Sequence, residues 1–578
     1  MTSEAVPAQR RPPEPVPVRH DRWSFELRGE ELADIRYDGV LLLRAVRPVV
    51  RDRDWGTVPA TVVDRRTPAE AGGWSGALRL RFGHPGEEGA VDYAAELVAA
   101  LDGSGLTVTF TGTSRSAFSR NRIGLVVLHP LAESGRPVEV LHADGSAAPG
   151  TWPEAISPHQ PFLDVRGFRW ERGGVRAELS LEGDVFETED QRNWTDASFK
   201  TYGTPLSQPF PVEVRPGERV LHRFRLRADG RAAPRAQVAA VAPSVDVGER
   251  VVGAVPALSL GASTASSEVP EWAGRTPGFE AVLVELTGAP AGWPERVDSA
   301  EREAAALGAA LDVRVATDDP DRVGAALALL DRTRVVRLSV FDTVGHVTTR
   351  SLWEALAAGA ADFRATPVAG ARSHFAELNR GRADIPPEAA ALTCSITPQM
   401  HAGELPHLVE SLAGQQAVAR DAVRLAGERP VHLGPVTLRQ RFNAVATSGN
   451  GSAGPPDPLQ PSAFTAAWTL GSVAALTRPG VQGLCYYEVA GPGGIGDAGG
   501  LFPVGRLLAA LAGLRGLDVL AVRAPEGVVA YPVRTPDGIL VLVSRLAATG
   551  LELPVHGPGG ARTSVRLDPW SVAQVRVT

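Results

Sequence analysis

The hydrophobic positions of the chain follow two different periods. From about residue 21 to 245, short segments alternate apolar and polar residues, and Gly or Asp-Gly turns separate many of them. Such alternation is typical of half-buried strands, and long helical patterns are nearly absent. This region is therefore predicted to form an all-β sandwich. Residues 1–20, rich in Pro and Arg and without periodicity, are expected to be a disordered tail.

Near residue 250 the pattern changes to short apolar runs that alternate with Ala-rich segments of helical period. Eight strand candidates with intervening helices indicate a TIM (β/α)8 barrel. A doubly wound open sheet is the alternative, but the Gly-rich fingerprint that such folds use after the first strand is missing. Alternation returns after about residue 515 and predicts a small terminal β-domain.

The predicted fold class is therefore multidomain α/β plus β, with a central TIM barrel. The expected divisions are a disordered tail at 1–20, an N-terminal β-sandwich at 21–248, a TIM-barrel catalytic domain at 249–514 and a C-terminal β-domain at 515–578. This layout is frequent among carbohydrate-active enzymes, although a fold alone does not establish chemistry.

Composition narrows the class of protein. The 578 residues include 59 basic and 66 acidic side chains, without a basic stripe, so no nucleic-acid partner is expected. No apolar run reaches the roughly 18 residues that a membrane span needs, and no apolar stretch follows the N-terminal arginines as in a secretory signal. Two cysteines are too few for a disulfide-stapled fold. We expect a cytoplasmic protein with no membrane partner.

Polar residues after four successive strand candidates form the first set of candidate site residues, because barrel active sites lie at the C-terminal ends of the strands. These are Glu377 and Asn379 after the fifth strand, Gln399 and His401 after the sixth, Arg439, Arg441 and Asn443 after the seventh, and Tyr487 and Glu488 at the end of the eighth. If the fifth strand continues, alternation places Phe375, Glu377 and Asn379 on one side.

The two glutamates are the acid/base candidates. Apolar neighbours surround Glu377, so burial is expected to raise its pKa. Glu488 follows Tyr486 and Tyr487, which could donate hydrogen bonds to it. A pair in contrasting environments suits general acid/base catalysis, and also a glycosidase, depending on the separation of the carboxylates.

Other chemistries lack a motif in the sequence. There is no Walker loop, no HExxH and no GxSxG, and the histidines do not fall at metal-ligand spacing. We therefore expect neither a metal nor another cofactor.

Residues 184–210 form a second candidate region, because charged and aromatic residues are interleaved there without core periodicity. The substrate-binding candidates in it are Glu189, Asp190, Arg192 and Lys200. Lys200 is the single lysine of the chain, against 58 arginines. We expect its ammonium to lie within salt-bridge distance of an acidic residue, where the β-domain meets the barrel. The segment either completes the pocket of the barrel or forms only a polar domain interface.

Six strings resemble the D-apionate lactonase family and occur in the expected order. They are FETEDQRNWTDASFKTYGTPL, SRNRIGLVVLHP, HFAELNRGR, SITPQMHA, PVTLRQRFNAVAT and the CYYEV end. The resemblance covers about residues 21 to 515. It implies a bacterial enzyme of apiose catabolism that hydrolyses D-apionolactone to D-apionate, with an N-terminal β-domain, a TIM barrel and a C-terminal domain. Gly203, Thr397 and Met400 depart from the Cys, Asn and Val of the resembled sequences, which leaves room for a changed substrate.

The resemblance and the candidate residues together predict hydrolysis of a small sugar lactone. Lactone opening needs a base for the water and a donor for the carbonyl oxyanion. The expected base is Glu377 or Glu488, and the expected donor is Arg441, Asn379 or His401. A glycoside hydrolase acting through both glutamates and a non-catalytic carbohydrate-binding protein are the alternatives. The oligomeric state stays open.

Overall fold

The computed structural model describes residues 6–7, 14–66, 69–70, 73–83, 91–233, 242–265, 268–447 and 454–578. The alternating segments of the first part form antiparallel strands. Their bounds are β1 (Val16–His20), β2 (Trp23–Arg28), β3 (Glu31–Tyr37), β4 (Val40–Asp52), β5 (Ala60–Arg66), β6 (Ala69–Glu70), β7 (Gly73–Phe82), β8 (Tyr93–Asp102), β9 (Gly105–Ser114), β10 (Phe118–Pro130), β11 (Pro137–His142), β12 (Ala147–Thr151), β13 (Phe162–Arg172), β14 (Val175–Glu182), β15 (Phe186–Asp190), β16 (Ser198–Tyr202), β17 (Val212–Val214) and β18 (Arg219–Gly230).

This β-domain differs from the expectation in two ways. Its described strands are joined by hydrogen bonds into one sheet, rather than into the two separate sheets of a simple sandwich. In addition, β1 pairs with β2, so the last five residues of the predicted disordered tail form a strand. The remaining tail positions, apart from residues 6–7 and 14–15, lie outside the described residues.

Strands β4, β10 and β16 lie side by side and bury both of their faces. Val127 pairs with Val46 of β4 and with Thr201 of β16. One face contributes Val46, Val50, Leu125, Val127 and Phe199 to the domain core. The opposite face, which carries Val49, Val126, Leu128 and Tyr202, looks towards the barrel. Successive side chains of a strand point to opposite faces, so these two sets of residues lie on opposite sides of the sheet.

The central part is a closed barrel of eight parallel strands, so the doubly wound open sheet is excluded. The strands are β20 (Ala257–Gly261), β21 (Ala281–Leu286), β22 (Ala310–Ala316), β23 (Val335–Phe341), β24 (Thr366–Gly370), β25 (Ala391–Ile396), β26 (Val431–Val436) and β27 (Val481–Glu488). All eight coincide with the strand candidates of the sequence.

Helices follow seven of the eight barrel strands. They are α1 (Trp293–Leu307), α2 (Asp321–Leu327), α3 (Arg350–Gly359), α4 (Phe375–Arg380), α5 (Leu405–Ala426), α6 (Ala463–Leu476) and α7 (Pro503–Ala512). After β20 the described chain has only the short 3-10 turn Ala273–Arg275. The barrel is therefore a TIM-like barrel with an incomplete helical layer. A small hairpin of β28 (Gly496–Asp497) and β29 (Gly500–Leu501) precedes α7.

The C-terminal sheet takes one strand from the chain that precedes the barrel. Its own strands are β30 (Asp518–Arg523), β31 (Val528–Thr535), β32 (Gly538–Arg545), β33 (Leu551–His556), β34 (Arg562–Leu567) and β35 (Val572–Val577). The added strand β19 (Val245–Ala254) pairs antiparallel with β30 and parallel with β33. It crosses the boundary expected at 248, because alternation reveals a strand but not the sheet it joins.

No helix in the described part of the chain combines the length and the apolarity that a membrane span requires.

Candidate active site

A cavity of about 690 Å³ lies between the β-domain and the barrel. One wall is the face of β4, β10 and β16 that points away from the domain core. The opposite wall comes from the segments that follow β24, β25 and β26, at the C-terminal end of the barrel strands. Cavities of this size are typical of small-molecule sites, and domain interfaces are a common place for them.

The segment 184–210 docks directly on the barrel. The Thr195 hydroxyl donates to the carbonyl oxygen of Thr397 at 2.8 Å, and the Asn379 amide donates to Asn193 Oδ1 at 3.0 Å. Helix α5 has Gly414 at this contact, where a Cβ would lie 2.0 Å from the Thr195 carbonyl oxygen. The segment joins the domains and also lines the cavity, so it is more than a polar domain interface.

A histidine from the barrel and an aspartate from the β-domain meet in the cavity. His401 Nδ1 lies 2.8 Å from Asp196 Oδ2. Because an ionised carboxylate only accepts, Nδ1 carries the proton and Nε2 has a free lone pair. Burial lowers the pKa of His401 from its ordinary value of 6.5, although Asp196 opposes the shift. A neutral imidazole oriented by a carboxylate is suited to accept a proton at neutral pH.

Lys200 lies beside this pair. Its Nζ is 2.5 Å from Glu189 Oε2 and 5.1 Å from the centre of the Tyr202 ring. Burial alone would raise the pKa of Glu189, but Lys200, His401 and Arg380 outweigh it and hold that pKa below its ordinary value. The prediction that the single lysine pairs with an acid where the domains meet is confirmed.

A second cation on the cavity wall is Arg51, at the end of β4. It donates to the Trp55 carbonyl oxygen at 3.3 Å and to the Thr57 hydroxyl. Burial and the neighbouring Arg47 lower the pKa of Arg51 to about 10, so it stays charged at neutral pH. Lys200 and Arg51 are thus among the basic residues that line the cavity together with the His401–Asp196 pair.

Of the remaining candidates, Gln399 and Asn443 also line the cavity. The Gln399 amide donates to Asp457 Oδ2 at 2.7 Å, and the Asn443 amide donates to the Asp54 carbonyl oxygen at 2.6 Å. Asn443 thereby ties the chain after β26 to the β-domain.

Asp190 and Arg192 are placed away from the cavity lining. They form a buried ion pair at 2.6 Å, and burial raises the pKa of Asp190. The remaining Arg192 donors reach the backbone carbonyls of residues 153–155. This pair holds the backbone that supports the docked segment.

Glu377 lies on a helix and not on a strand. Strand β24 ends at Gly370 and α4 begins at Phe375, so the alternation expected for residues 375–379 is wrong. The Ser373 hydroxyl and the His374 N–H donate to Glu377 Oε2 at 2.7 and 2.9 Å. Its carboxylate therefore caps the first turn of α4, and it does not line the cavity.

Glu488 ends β27 and is likewise outside the cavity lining. It accepts hydrogen bonds from the backbone N–H and the hydroxyl of Thr264 at 3.1 and 2.8 Å, and burial raises its pKa. The expected donation from the two tyrosines is wrong. Their hydroxyls pair with Ser472 and Thr469 instead, each at 2.8 Å.

The arginines after β26 neutralise acids near the barrel mouth. Arg441 lies 2.7 Å from Glu285 Oε2, and Arg439 lies 3.1 Å from Asp457 Oδ2. Burial would raise the pKa of Glu285, but Arg441, Arg372 and Arg314 lower it to about 2. Glu285 therefore stays ionised near neutral pH, which does not suit it to act as a general acid.

Sequence reasoning missed Asp196 and Arg51 as site residues. Asp196 stands in a segment that the composition marks as unusual, but its partner is 205 residues away. Arg51 lies in the charged string RDRDWGT, which carries no recognisable catalytic spacing. Within the described residues, no group of three or more His, Cys, Asp or Glu side chains could hold a metal ion.

Comparison with known proteins identifies the family. The model of the D-apionate lactonase N-terminal domain matches residues 4–231, and that of the D-apionate lactonase TIM barrel domain matches residues 261–516. A D-apionate lactonase from Brucella anthropi is 28% identical, over 97% of each chain.

Likeness to solved structures is distant. A GH30 endoxylanase from Clostridium papyrosolvens C71 is 8% identical with a TM-score of 0.41, over 57% of this chain and 98% of that one. A beta-arabinopyranosidase is 10% identical with a TM-score of 0.33, over 96% of this chain and 98% of that one.

Five of the six strings that carry the resemblance contribute side chains to the inter-domain cavity. The contributing residues include Arg122, Lys200, Arg380, His401 and Asn443, one from each string. The family models cover both walls of the cavity. The chain belongs to the D-apionate lactonase family.

Proposed function

We propose that this enzyme, a lactone hydrolase by family, opens a small sugar lactone, D-apionolactone to D-apionate, in the inter-domain cavity with His401 as the general base. The observation that carries the proposal is the 2.8 Å contact of His401 Nδ1 with Asp196 inside a cavity whose lining also includes Lys200 and Arg51. The Brucella anthropi relative supports the substrate.

The chain's own residues account for the proton transfers. His401 Nε2 takes a proton from water as its oxygen attacks the lactone carbonyl carbon. Asp196 accepts from Nδ1–H throughout and stabilises the imidazolium that forms. The acyl C–O bond then breaks, and His401 returns the proton to the departing ring oxygen. The product is an open hydroxy acid, which ionises at neutral pH.

Charge develops on the carbonyl oxygen during the attack, and fixed cations stabilise it. Lys200 and Arg51 supply that charge from the β-domain wall. Glu189 holds the Lys200 ammonium at 2.5 Å, so little reorganisation is needed when the oxyanion forms. The same cations favour binding of the carboxylate product.

His401→Gln tests the proposal. It should lower acid release from aldonolactones by about a hundredfold or more, the usual scale for a lost general base. Asp196→Asn should lower it as well, because the imidazole loses its orienting partner. Because His401 and Asp196 also join the two domains, each variant must still unfold cooperatively on heating. Only then does a lower activity report on catalysis and not on loss of the fold. Full activity of His401→Gln would overturn the proposal.

Catalysis by Glu377 or Glu488 stays a prediction, and the matched variants Glu377→Gln and Glu488→Gln test it. Their hydrogen bonds to Ser373, His374 and Thr264 favour structural roles, so we expect both variants to retain most of the activity. The same proteins are assayed with nitrophenyl glycosides. A glycosidase would be supported instead if the unmodified enzyme cleaved glycosides but released no acid from lactones, and if each glutamine variant had lost the glycoside cleavage.

A further inference from the structure

One part of the cavity is lined by hydrocarbon. Val49, Val126, Leu128 and Tyr202 form a hydrophobic cluster with Leu206, separate from the core of the β-domain. We call these five residues the apolar wall. All of them line the cavity. Strand alternation directs Val49, Val126, Leu128 and Tyr202 away from the core, and Leu206 follows β16 on the same side.

The rim next to the apolar wall exposes further large apolar side chains. Phe210 is 38% exposed and Val445 is 37% exposed, and both line the cavity. The Phe210 ring packs edge-on against Trp55, with 5.2 Å between the ring centres. Arg122 is held against both rings, at 5.1 and 5.4 Å. Apolar and aromatic side chains in a cavity lining are typical of small-molecule sites.

The apolar wall is continuous with the proposed catalytic residues. The Tyr202 ring that belongs to it lies 5.1 Å from Lys200 Nζ. Burial raises the pKa of Tyr202 far above its ordinary value, so its phenol stays neutral, and its hydroxyl donates to Glu187. The ring therefore presents an uncharged face to the cavity. The apolar wall and the Lys200 ammonium therefore meet at this ring, next to the proposed catalytic residues.

The size of the cavity agrees with a two-part ligand. A volume of about 690 Å³ falls within the range of sites for drug-sized molecules. A monosaccharide lactone fills only part of it. The lining includes the apolar wall as well as polar side chains, so a substituent on the lactone ring has apolar surface available to it.

We propose that the apolar wall is a subsite for an alkyl or aryl substituent, so that the enzyme also hydrolyses lactones that carry such a group. The inference rests on the proposed function, because the same attack of water breaks the same acyl C–O bond. No co-reactant other than water is needed.

The first test is the rate on γ-butyrolactone, γ-hexalactone and γ-nonalactone. Burial of each added methylene should raise kcat/KM by about two- to fourfold. Leu206→Asn and Phe210→Ala should flatten this dependence and leave the rate on γ-butyrolactone nearly unchanged. Leu163→Asn is the matched control, since Leu163 is 58% exposed and lies outside the cavity lining. If the unmodified enzyme showed the same kcat/KM on all three lactones, the proposed subsite would be overturned.

A binding measurement separates this subsite from the catalytic proposal. 3-Pentylcyclopentanone has a methylene in place of the ring oxygen of γ-nonalactone, so it keeps the shape of that lactone but has no ester to hydrolyse. By calorimetry it should bind the unmodified enzyme and His401→Gln at least tenfold more tightly than cyclopentanone does, and Leu206→Asn should lose this gain. If His401→Gln keeps its lactonase activity while the gain persists, the catalytic role fails and the subsite stands. Equal binding of both ketones would overturn the subsite.

Discussion

At the scale of single residues, rarity was the most informative signal in the sequence. Lys200 stands alone against 58 arginines, and it lies within 2.5 Å of Glu189 on the cavity wall. The count of lysines and arginines singled out Lys200 as a candidate residue, but it could not predict the contact between His401 and Asp196. That contact spans two domains and 205 residues, and no local pattern reports it. Gln399, His401 and Asn443 were found because chain segments after barrel strands gather at one end.

Replacing Lys200 by Arg tests whether the cavity needs a compact ammonium. Glu189 and the Tyr202 ring confine Nζ, and the side chain of Lys200 is only 14% exposed. A guanidinium is larger and planar, so it cannot keep the same contact without displacing one neighbour. We expect Lys200→Arg to lower kcat/KM by at least tenfold while the melting temperature changes by only a few degrees. Activity equal to that of the unmodified enzyme would mean that charge alone is sufficient.

The pH dependence of the reaction reports on His401. Burial lowers its pKa from 6.5, and the base must be deprotonated to accept a proton. Activity should therefore be constant near neutral pH and fall as the pH drops below 6.5, when the imidazole becomes protonated. Asp196→Asn removes the carboxylate that favours the imidazolium, so the fall should move to still lower pH. A pH–rate profile of kcat/KM checks both statements, and an acid limb above pH 7 would contradict the assignment.

At the scale of elements, the pattern predicted every barrel strand but not every helix. Helix α4 was not predicted, and the shared side expected for Phe375, Glu377 and Asn379 depended on a continuation of the fifth strand that does not occur. Short helices lack the repeated turns that make a 3.6-residue period visible. Strand β19 was not predicted, and the domain boundary expected at 248 falls within it.

Helix α5 provides a test of the docking contact. In Gly414→Ala the new Cβ would lie 2.0 Å from the Thr195 carbonyl oxygen, next to Asp196. The docked segment must shift, so we expect a loss of stability of about 1 kcal/mol or more and a clear loss of activity. Gly324→Ala in α2 is the matched control, because nothing lies within 4 Å of its added Cβ. That change should stabilise the protein by about 0.5–1 kcal/mol. Thermal unfolding measures the stability of the two variants, and lactone hydrolysis measures their activity. If Gly414→Ala were as stable and as active as Gly324→Ala, the docking contact at Gly414 would be contradicted.

At the scale of the whole molecule, the sequence predicted the content of each part and a contact at Lys200 between the β-domain and the barrel, but not the shared cavity or the attachment of the C-terminal sheet. The cavity is shared between the β-domain and the barrel, so neither part contains the proposed site alone. The C-terminal sheet is similarly bound to the barrel. The Tyr531 hydroxyl lies 2.9 Å from Thr477 Oγ1 after α6, and Trp570 packs against Phe464 of α6. Such associations depend on contacts between distant segments, which periodicity does not encode.

Removal of residues 515–578 should therefore unfold more than the C-terminal sheet. Strand β19 would lose both of its neighbours, β30 and β33, and one side of α6 would be exposed to water. We expect the shortened protein to lose its cooperative thermal transition and its lactonase activity, although the removed residues lie outside the cavity lining. Tyr531→Phe, which removes only the hydroxyl contact with Thr477, is the control and should cost about 1 kcal/mol with full activity. Circular dichroism melting and acid release measure both. A shortened protein that melts cooperatively and stays active would show that the sheet is an independent appendage, and that β19 does not depend on its partners.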